Sequence, residues 1–329
     1  MEFSWSKSQT ILLFLLVVLC INYIIQVSIN KFSTLTSPDT EEGFEGSNPT
    51  DEKSESLYTW LTEPQSYYDD FYAGVYDQLS QQKARSQAKV AILLNQWKKT
   101  GADPKTWSVL DAGCGTGHSA LAFAKMGVGS IVGIDSSPAM IRYAEKKAQP
   151  AAELTPQQTE TIRWRVDTLV NPSAAAGGEF SHAYCFYFTL YYLENKEEFF
   201  RHMGFWIKPG GKLAVEVVNK YKFDPLLESA SPFVGFSLQK YSQERLRKSK
   251  VAFDTFDYEG EFVLTDPKAE FFETFRFKNG TVRRQKHTFQ MPNIADIVEM
   301  GKRAGWKYVG SQDLNPIGFE YGYLLFFEK

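Results

Sequence analysis

The sequence predicts an α/β domain built on a doubly wound, mainly parallel sheet, entered through an apolar N-terminal run. Three observations predict it. Short apolar stretches alternate with helical patterns from residue 107 to residue 218, the rhythm of βαβ units with helices on both faces of a sheet. One of them, "VLDAGCGTG", ends on an acid and meets Gly113, Gly115 and Gly117 at every second position before an alanine-rich helical pattern. Ahead of both, residues 11–29 carry no charge and only Asn22, Gln26 and Ser28 as clearly polar side chains.

In chain order, a short segment (1–10) leads into that run. As helix, 11–29 reaches about 28 Å, close to a hydrocarbon core of about 30 Å. A cleaved signal peptide is the alternative, but the run is long and no small-x-small cleavage site follows, so one transmembrane anchor is expected. Lys7 and Lys31 flank it and leave its orientation open. Residues 30–57 are rich in Ser, Thr, Pro, Gly and acid, the composition of a flexible acidic tether. The folded domain is expected over 58–329.

"SYYDDFYAGVYDQL" sets tyrosines and acids ahead of the helical "KARSQAKVAILLNQWKK". Then follow strand "WSVLDAG", helix "GHSALAFAKM", strand "SIVGID", and helix "SPAMIRYAEKKA" with Ser137 as N-cap and Pro138 at its first position. "TIRWRVD" and "HAYCFYF" are strands, "NKEEFFRHMGFWI" a helix, and "PGG" turns into strand "KLAVEVVN". Between 220 and 292 the pattern becomes three strands, "AFDTFDYEGEFVL", "AEFFETFRF" and "TVRRQKHTFQM", with a hairpin turn at "KNG": an antiparallel insertion. Helix "IADIVEMGKRAGW" and strands "KYVGSQDL" and "EYGYLLFFEK" close the chain.

The net charge of −3 supplies no basic field, which argues against nucleic acid as partner. Cys20, Cys114 and Cys185 form no disulfide or zinc pattern, and no His, Cys and Asp cluster has metal-ligand spacing, so no metal is expected. The basic runs 245–250 and 283–286 read as solvated faces, with lipid headgroup contact as the alternative.

Glycines let a backbone turn sharply and approach a ligand closely, and Asp135 ends the next strand, placed to accept from ribose hydroxyls. A dinucleotide fits this as well as any adenosine ligand. However, the glycines alternate and do not follow G-x-G-x-x-G, and no P-loop lysine is present. "VLDAGCGTG", "VGIDSSPAMIRYA", "IRWRVDTL" and "WIKPGGKLAVEV" resemble, in order and spacing, four motifs of the class I S-adenosylmethionine-dependent methyltransferases. The resemblance implies a Rossmann-like seven-stranded sheet with an antiparallel last strand, and S-adenosylmethionine as cofactor. It also implies a cofactor site of Asp111, Gly113, Cys114, Gly115, Gly117, Asp135, Ser136, Met140, Asp167, Thr168 and Cys185, with Asp167 toward the adenine. One departure is Ser181, where relatives usually carry an acid at the start of the fourth strand.

Methyl transfer needs an in-line nucleophile, excluded water and sometimes one proton removed. Aromatic faces suit a sulfonium. Tyr67, Tyr68, Tyr72 and Tyr76, then Tyr187, Tyr191 and Tyr192, then Glu216, Asn219 and Tyr221 are the candidate pocket groups, although packing with a satisfied hydroxyl is the plainer account of any single tyrosine. Among the histidines, His118 opens a helix beside the cofactor, His182 is structural and His202 solvated. His287 in the insertion is the preferred base, with Tyr191 and Tyr72 as further catalytic candidates. The expected acceptor is a small molecule or lipid-like compound, and the domain is expected on the cytosolic side, where the cofactor is made. A cofactor-binding scaffold without turnover and an NAD(P)-dependent oxidoreductase are the competing readings.

Overall fold

The apolar runs that form the inner strands of the sheet between 107 and 218 bury side chains on both faces, as a sheet covered on two sides requires, while the edge strand 162–166 is only partly buried. The computed structural model describes residues 60–80, 82–149, 154–223 and 247–329, all within the unit Tyr58–Lys329. The expected anchor at 11–29 and the tether at 30–57 lie outside the described residues. Among the described residues no helix is long and apolar enough to cross a membrane.

The strands are β1 (Ser108–Ala112), β2 (Ser130–Asp135), β3 (Ile162–Val166), β4 (Phe180–Cys185), β5 (Ile207–Val218), β6 (Lys248–Ala252), β7 (Phe256–Thr265), β8 (Lys268–Phe277), β9 (Val282–Gln290), β10 (Lys307–Asp313) and β11 (Gly322–Glu328). The main sheet has the order β10-β11-β5-β4-β1-β2-β3. β1 to β5 pair in parallel, and β11 inserts antiparallel between β5 and β10. The seven strands and the antiparallel closing strand are those the resemblance implies. Ser181, which replaces the relatives' acid, exchanges hydrogen bonds of 3.0 Å with Ser108, so the start of β4 is fastened to β1 by hydroxyls.

The helices that matter for the site are α1 (Asp70–Ser80), α2 (Gln82–Trp97), α3 (His118–Lys125), α4 (Pro138–Lys147), α5 (Lys196–Trp206) and α6 (Ile294–Arg303). Ser137 caps α4, its hydroxyl accepting from the Met140 N–H. The same hydroxyl donates to the Tyr68 carbonyl at 2.6 Å, which pins the segment before α1 to the end of β2.

The insertion is a separate antiparallel sheet of four strands, β6-β7-β8-β9, one more than its sequence pattern predicts. The extra edge strand begins inside the basic run 245–250, where Lys248 and Lys250 face Glu261 and Glu259 across the ladder. Lys248 and Lys250 stay exposed, as a solvated face requires, but the second basic run is no plain solvated face. Arg283 bonds Asp69 at 2.6 Å and lies over the Phe71 ring, because its guanidinium ties β9 to the cap of α1. Phe71 meets Phe256, Phe275 and Phe277 edge-on, so α1 packs against the inserted sheet through a cluster of rings.

Lys89 of α2 and Glu216 of β5 form a fully buried ion pair at 2.7 Å. Glu216 also accepts the Tyr187 N–H at 2.6 Å, holding that residue at φ 57, a left-handed conformation unfavourable for tyrosine. Removing one partner strands a buried charge. Lys89→Ala is expected to lower unfolding free energy by roughly 3–5 kcal/mol in urea titration. Lys89→Met with Glu216→Gln should recover part of that, since the amide still accepts from Tyr187.

Candidate active site

The glycine corner is required first by the protein itself. Gly113, Gly115 and Gly117 all have positive φ, +79°, +52° and +84°. A Cβ at Gly113 would lie 2.3 Å from Thr189, and one at Gly117 2.6 Å from the Trp164 ring. Of the three, only Gly115 would take a Cβ without a clash, at ordinary contact distance from Tyr76, 3.7 Å. Sequence reasoning assigned all three glycines to ligand approach; two of them are explained by Thr189 and Trp164.

Asp135 holds the corner. One of its oxygens accepts from Gly115 N–H at 2.8 Å and the other from Ser137 N–H at 2.9 Å. Burial raises its pKa against the opposing pull of these two donors. Beside it opens a cleft of about 430 Å³, within the size range of ligand sites. Gly113, Gly115, Asp135, Ser136, Met140, Asp167 and Thr168 all line it. Asp167 accepts from Asn171 and from the Thr168 N–H, which fixes its carboxylate at the rim. Cys114 lines a smaller adjoining hollow with His118 and Tyr187.

Three expected cofactor residues sit elsewhere. Cys185 is fully buried in β4, where burial pushes its thiol up. Gly117 is closed in by Trp164 and Ala144 as the N-cap of α3. Asp111 is buried in β1 behind the corner, opposite Tyr184 of β4, and one of its oxygens lacks a hydrogen-bond partner. Burial pushes its carboxyl up to about 7, with Tyr184 offsetting part of the effect.

A second, smaller cavity lies between α1 and the inserted sheet, and its walls include Tyr68, Tyr72, Tyr76, Tyr187, Tyr192, Phe271, Phe289, Glu273 and His287. Tyr68, Tyr76 and Tyr192 line both cavities, so rings form the partition. His287 is brought to this wall as expected, and so is Tyr72, whose hydroxyl donates to Glu273 at 2.8 Å. Tyr191 is not: it is buried, and its hydroxyl accepts the Val218 N–H at 2.8 Å while its neighbour Tyr192 faces the cavity. Glu216 is consumed by Lys89, and Tyr221 is exposed, donating to Asp266 at 2.5 Å.

Of the other histidines, His118 lies 3.1 Å from Asp77. Burial alone would raise Asp77, but His118 and Lys147 hold it at about 2. His182 packs between Trp97 and Trp107, and burial, then Lys212 and Lys208, lower it to about 3. His202 is half-buried against the Leu169 carbonyl at 3.0 Å, not solvated, because α5 turns that face toward the loop after β3. Sequence reasoning left one buried acid of the cavity wall unranked. Glu273 is fully buried and accepts from Tyr72, Tyr258, Gln285 and His287.

Residues 109–211 match the family described as a methyltransferase domain. Over that span the chain is similar to methyltransferase domains. A methyltransferase match argues against the nicotinamide reading. Among solved structures, the CcbJ methyltransferase from Streptomyces caelestis aligns with a TM-score of 0.57 at 16% identity over 80% of this chain and 98% of that one. S-adenosylmethionine-bound CalS10 from Micromonospora echinaspora, an amino pentose methyltransferase, aligns with a TM-score of 0.53 at 15% identity over 77% and 96%. These likenesses are of fold. A curated relative, the mitochondrial ubiquinone biosynthesis O-methyltransferase of Dictyostelium discoideum, is 24% identical over 114 residues. The match covers 34% of this chain and 36% of that relative, about a third of its length.

The Asp111 carboxyl gives the methyltransferase domain a pH signature. Between about 4 and about 7 the folded chain keeps a proton that the unfolded chain has lost, so stability is highest below that window and falls as pH rises through it. At about 1.4 kcal/mol per unit the fall is of the order of 4 kcal/mol. Asp111→Asn should flatten this slope in denaturation curves recorded across that range.

Proposed function

We propose that the chain transfers a methyl group from S-adenosylmethionine, held in the cleft beside Asp135, to a small acceptor in the aromatic cavity. The observation that carries this reading is the shared partition: Tyr68, Tyr76 and Tyr192 border both spaces, so two ligands would meet across them. The cleft suits the cofactor. Gly115 lines the cleft without a side chain to fill it, Asp135 and Asp167 offer acceptors for ribose and adenine donors, and Met140, Ile134 and Leu169 supply apolar walls. When bound, the cofactor supplies a methyl group already activated on a sulfonium.

The protein's own part is placement and desolvation. Rings around the cavity exclude water and present π-faces to a cation. The acceptor is a small or lipid-like molecule, since the cavity wall is mostly aromatic and the chain has no basic field for nucleic acid. Of the two relatives whose descriptions specify a chemistry, one is an O-methyltransferase and the other acts on an amino sugar, and the wall of this cavity is compatible with either.

Asp135→Ala removes the acceptor of two loop N–H groups. Loss of such charge-assisted bonds, about 1.5–3 kcal/mol each, should weaken S-adenosylmethionine binding at least roughly tenfold in isothermal titration. Unchanged binding would refute the placement. Release of S-adenosylhomocysteine on incubation with an acceptor separates the enzyme from a binding scaffold.

In the same reading the apolar run 11–29 tethers the domain to a membrane. The full chain should stay in the pellet after alkaline carbonate extraction of membranes, and a chain beginning at residue 58 should appear in the supernatant.

A further inference from the structure

One line of hydrogen bonds crosses from the inserted sheet to the partition between the cavities. The Tyr68 hydroxyl donates to Tyr192 Oη at 2.8 Å. Tyr192 Oη lies 2.6 Å from His287 Nδ1, and His287 Nε2 lies 2.6 Å from Glu273 Oε2. The Glu273 carboxylate also receives Tyr72, Tyr258 and the Gln285 amide.

These contacts fix the imidazole. Burial would raise Glu273, but it is held below the usual carboxylate range, and the hydrogen bonds from Tyr258, Gln285 and Tyr72 favour the ionised, accepting form whatever the state of the imidazole. The ring must therefore present Nε2–H to Glu273, which leaves Nδ1 of the neutral ring as an acceptor for the Tyr192 hydroxyl. Tyr68 and Tyr192 themselves are pushed well above the usual tyrosine range, first by burial, so neither serves as a standing phenolate. They can pass a proton without keeping a charge. The groups facing the imidazole are Tyr67, Tyr68, Tyr72 and Tyr192 from the segment before α1, α1 and the short helix Thr189–Tyr192, with Phe271, Glu273 and Gln285 from β8 and β9.

We infer that Tyr68, Tyr192, His287 and Glu273 form a proton relay, and that the acceptor is one whose reacting atom carries both a lone pair and a proton, a hydroxyl or a neutral primary or secondary amine. This rests on the two-cavity reading above. As the acceptor's lone pair bonds the methyl carbon, the carbon–sulfur pair returns to sulfur and the acceptor's O–H or N–H bond breaks. Its proton goes to the Tyr192 oxygen, directly or through Tyr68, while the Tyr192 proton moves to His287 Nδ1. The resulting imidazolium stands against the Glu273 carboxylate, which balances its charge. In this scheme Tyr192 or Tyr68 touches the acceptor, and Glu273 is a positioning residue that sets the tautomer of His287.

The test reads that tautomer in the full chain, labelled with 15N-histidine and saturated with S-adenosylhomocysteine, by two-bond 1H–15N correlation, with His287→Gln assigning the signal. The relay requires Nε2–H in the wild type and a shift toward Nδ1–H in Glu273→Gln. Nδ1–H in the wild type, or a tautomer unmoved by Glu273→Gln, overturns it. Should Glu273→Gln fail to fold, Tyr192→Phe keeps the ring packing and removes only the hydroxyl. It should lower turnover about 100-fold or more while S-adenosylhomocysteine affinity changes by less than about threefold.

Phenethylamine, 4-ethylphenol and N,N-dimethylphenethylamine serve as acceptor probes. Release of S-adenosylhomocysteine with the first or second supports the assignment and separates amine from hydroxyl. Release with the tertiary amine alone, or with none of the three, overturns it. Failure of the wild-type chain to bind S-adenosylmethionine would instead sink the reading of the cleft, a result distinct from either.

Discussion

A carboxylate taken out of water must be given donors or a cation, and the inserted sheet is organised around one that receives both. Glu273 sits on the inward face of β8 with no exposure to solvent worth the name, and four side chains converge on it. Tyr258 comes from β7, Gln285 and His287 from β9, and Tyr72 from α1. The last of these matters most for the architecture, because it joins the inserted sheet to the helix that packs on α4. Arg283 makes the same connection from β9 to Asp69 at the other end of the helix cap. Satisfying one acid thereby sets the distance between two layers, and the aromatic cavity is the space they enclose.

The corner after β1 shows a comparable economy in its glycines. A sequence reader sees three bare positions and assigns them to a ligand. In the folded chain Thr189 and Trp164 occupy the room that side chains at Gly113 and Gly117 would need. Those glycines bring the loop against β3 and against the turn that carries Tyr192. The ligand benefits indirectly: tight packing beneath the corner lets Asp135 reach the Gly115 N–H and leaves the upper face open. Asp111 is part of the same packing, a buried acid whose ionisation the fold resists.

The main sheet was legible because each strand is a short apolar run closed by a turn signal, and the order of motifs fixed the topology. The four-stranded insertion was legible except for β6, whose "KSKVA" looks charged and exposed because an edge strand has one solvent face. His287 was legible as a candidate by elimination among four histidines. Glu273 carried a signal that went unused: in "AEFFETFRF" the residues at alternate positions are Ala269, Phe271, Glu273, Phe275 and Phe277, so period two puts an acid on an apolar face. The choice between Tyr191 and Tyr192 was beyond pattern reading. They are consecutive on a four-residue helix, and a rotation of about 100° between neighbours decides which hydroxyl meets the Val218 amide and which the cavity. Cys185 failed for a similar reason, since a strand buried on both faces gives no hint of which end reaches the cleft.

The partition of Tyr68, Tyr76 and Tyr192 also explains why so many hydroxyls are needed in a space that is otherwise apolar. A purely aliphatic wall would desolvate both ligands but offer no route for a proton. A wall of ordinary acids would offer the route and then hold a charge beside a sulfonium, binding the ground state as well as the transition state. Tyrosines whose ionisation is suppressed by burial do neither. Their rings would face a cation, the Tyr68 and Tyr192 hydroxyls form a chain with His287, and the fixed negative charge on that chain is Glu273, set behind His287. Charge then develops on the imidazole at the far end, where the carboxylate already waits for it. Stacked in this order, the residues separate the binding of a cation from the removal of a proton, two demands that one side chain could not meet at once.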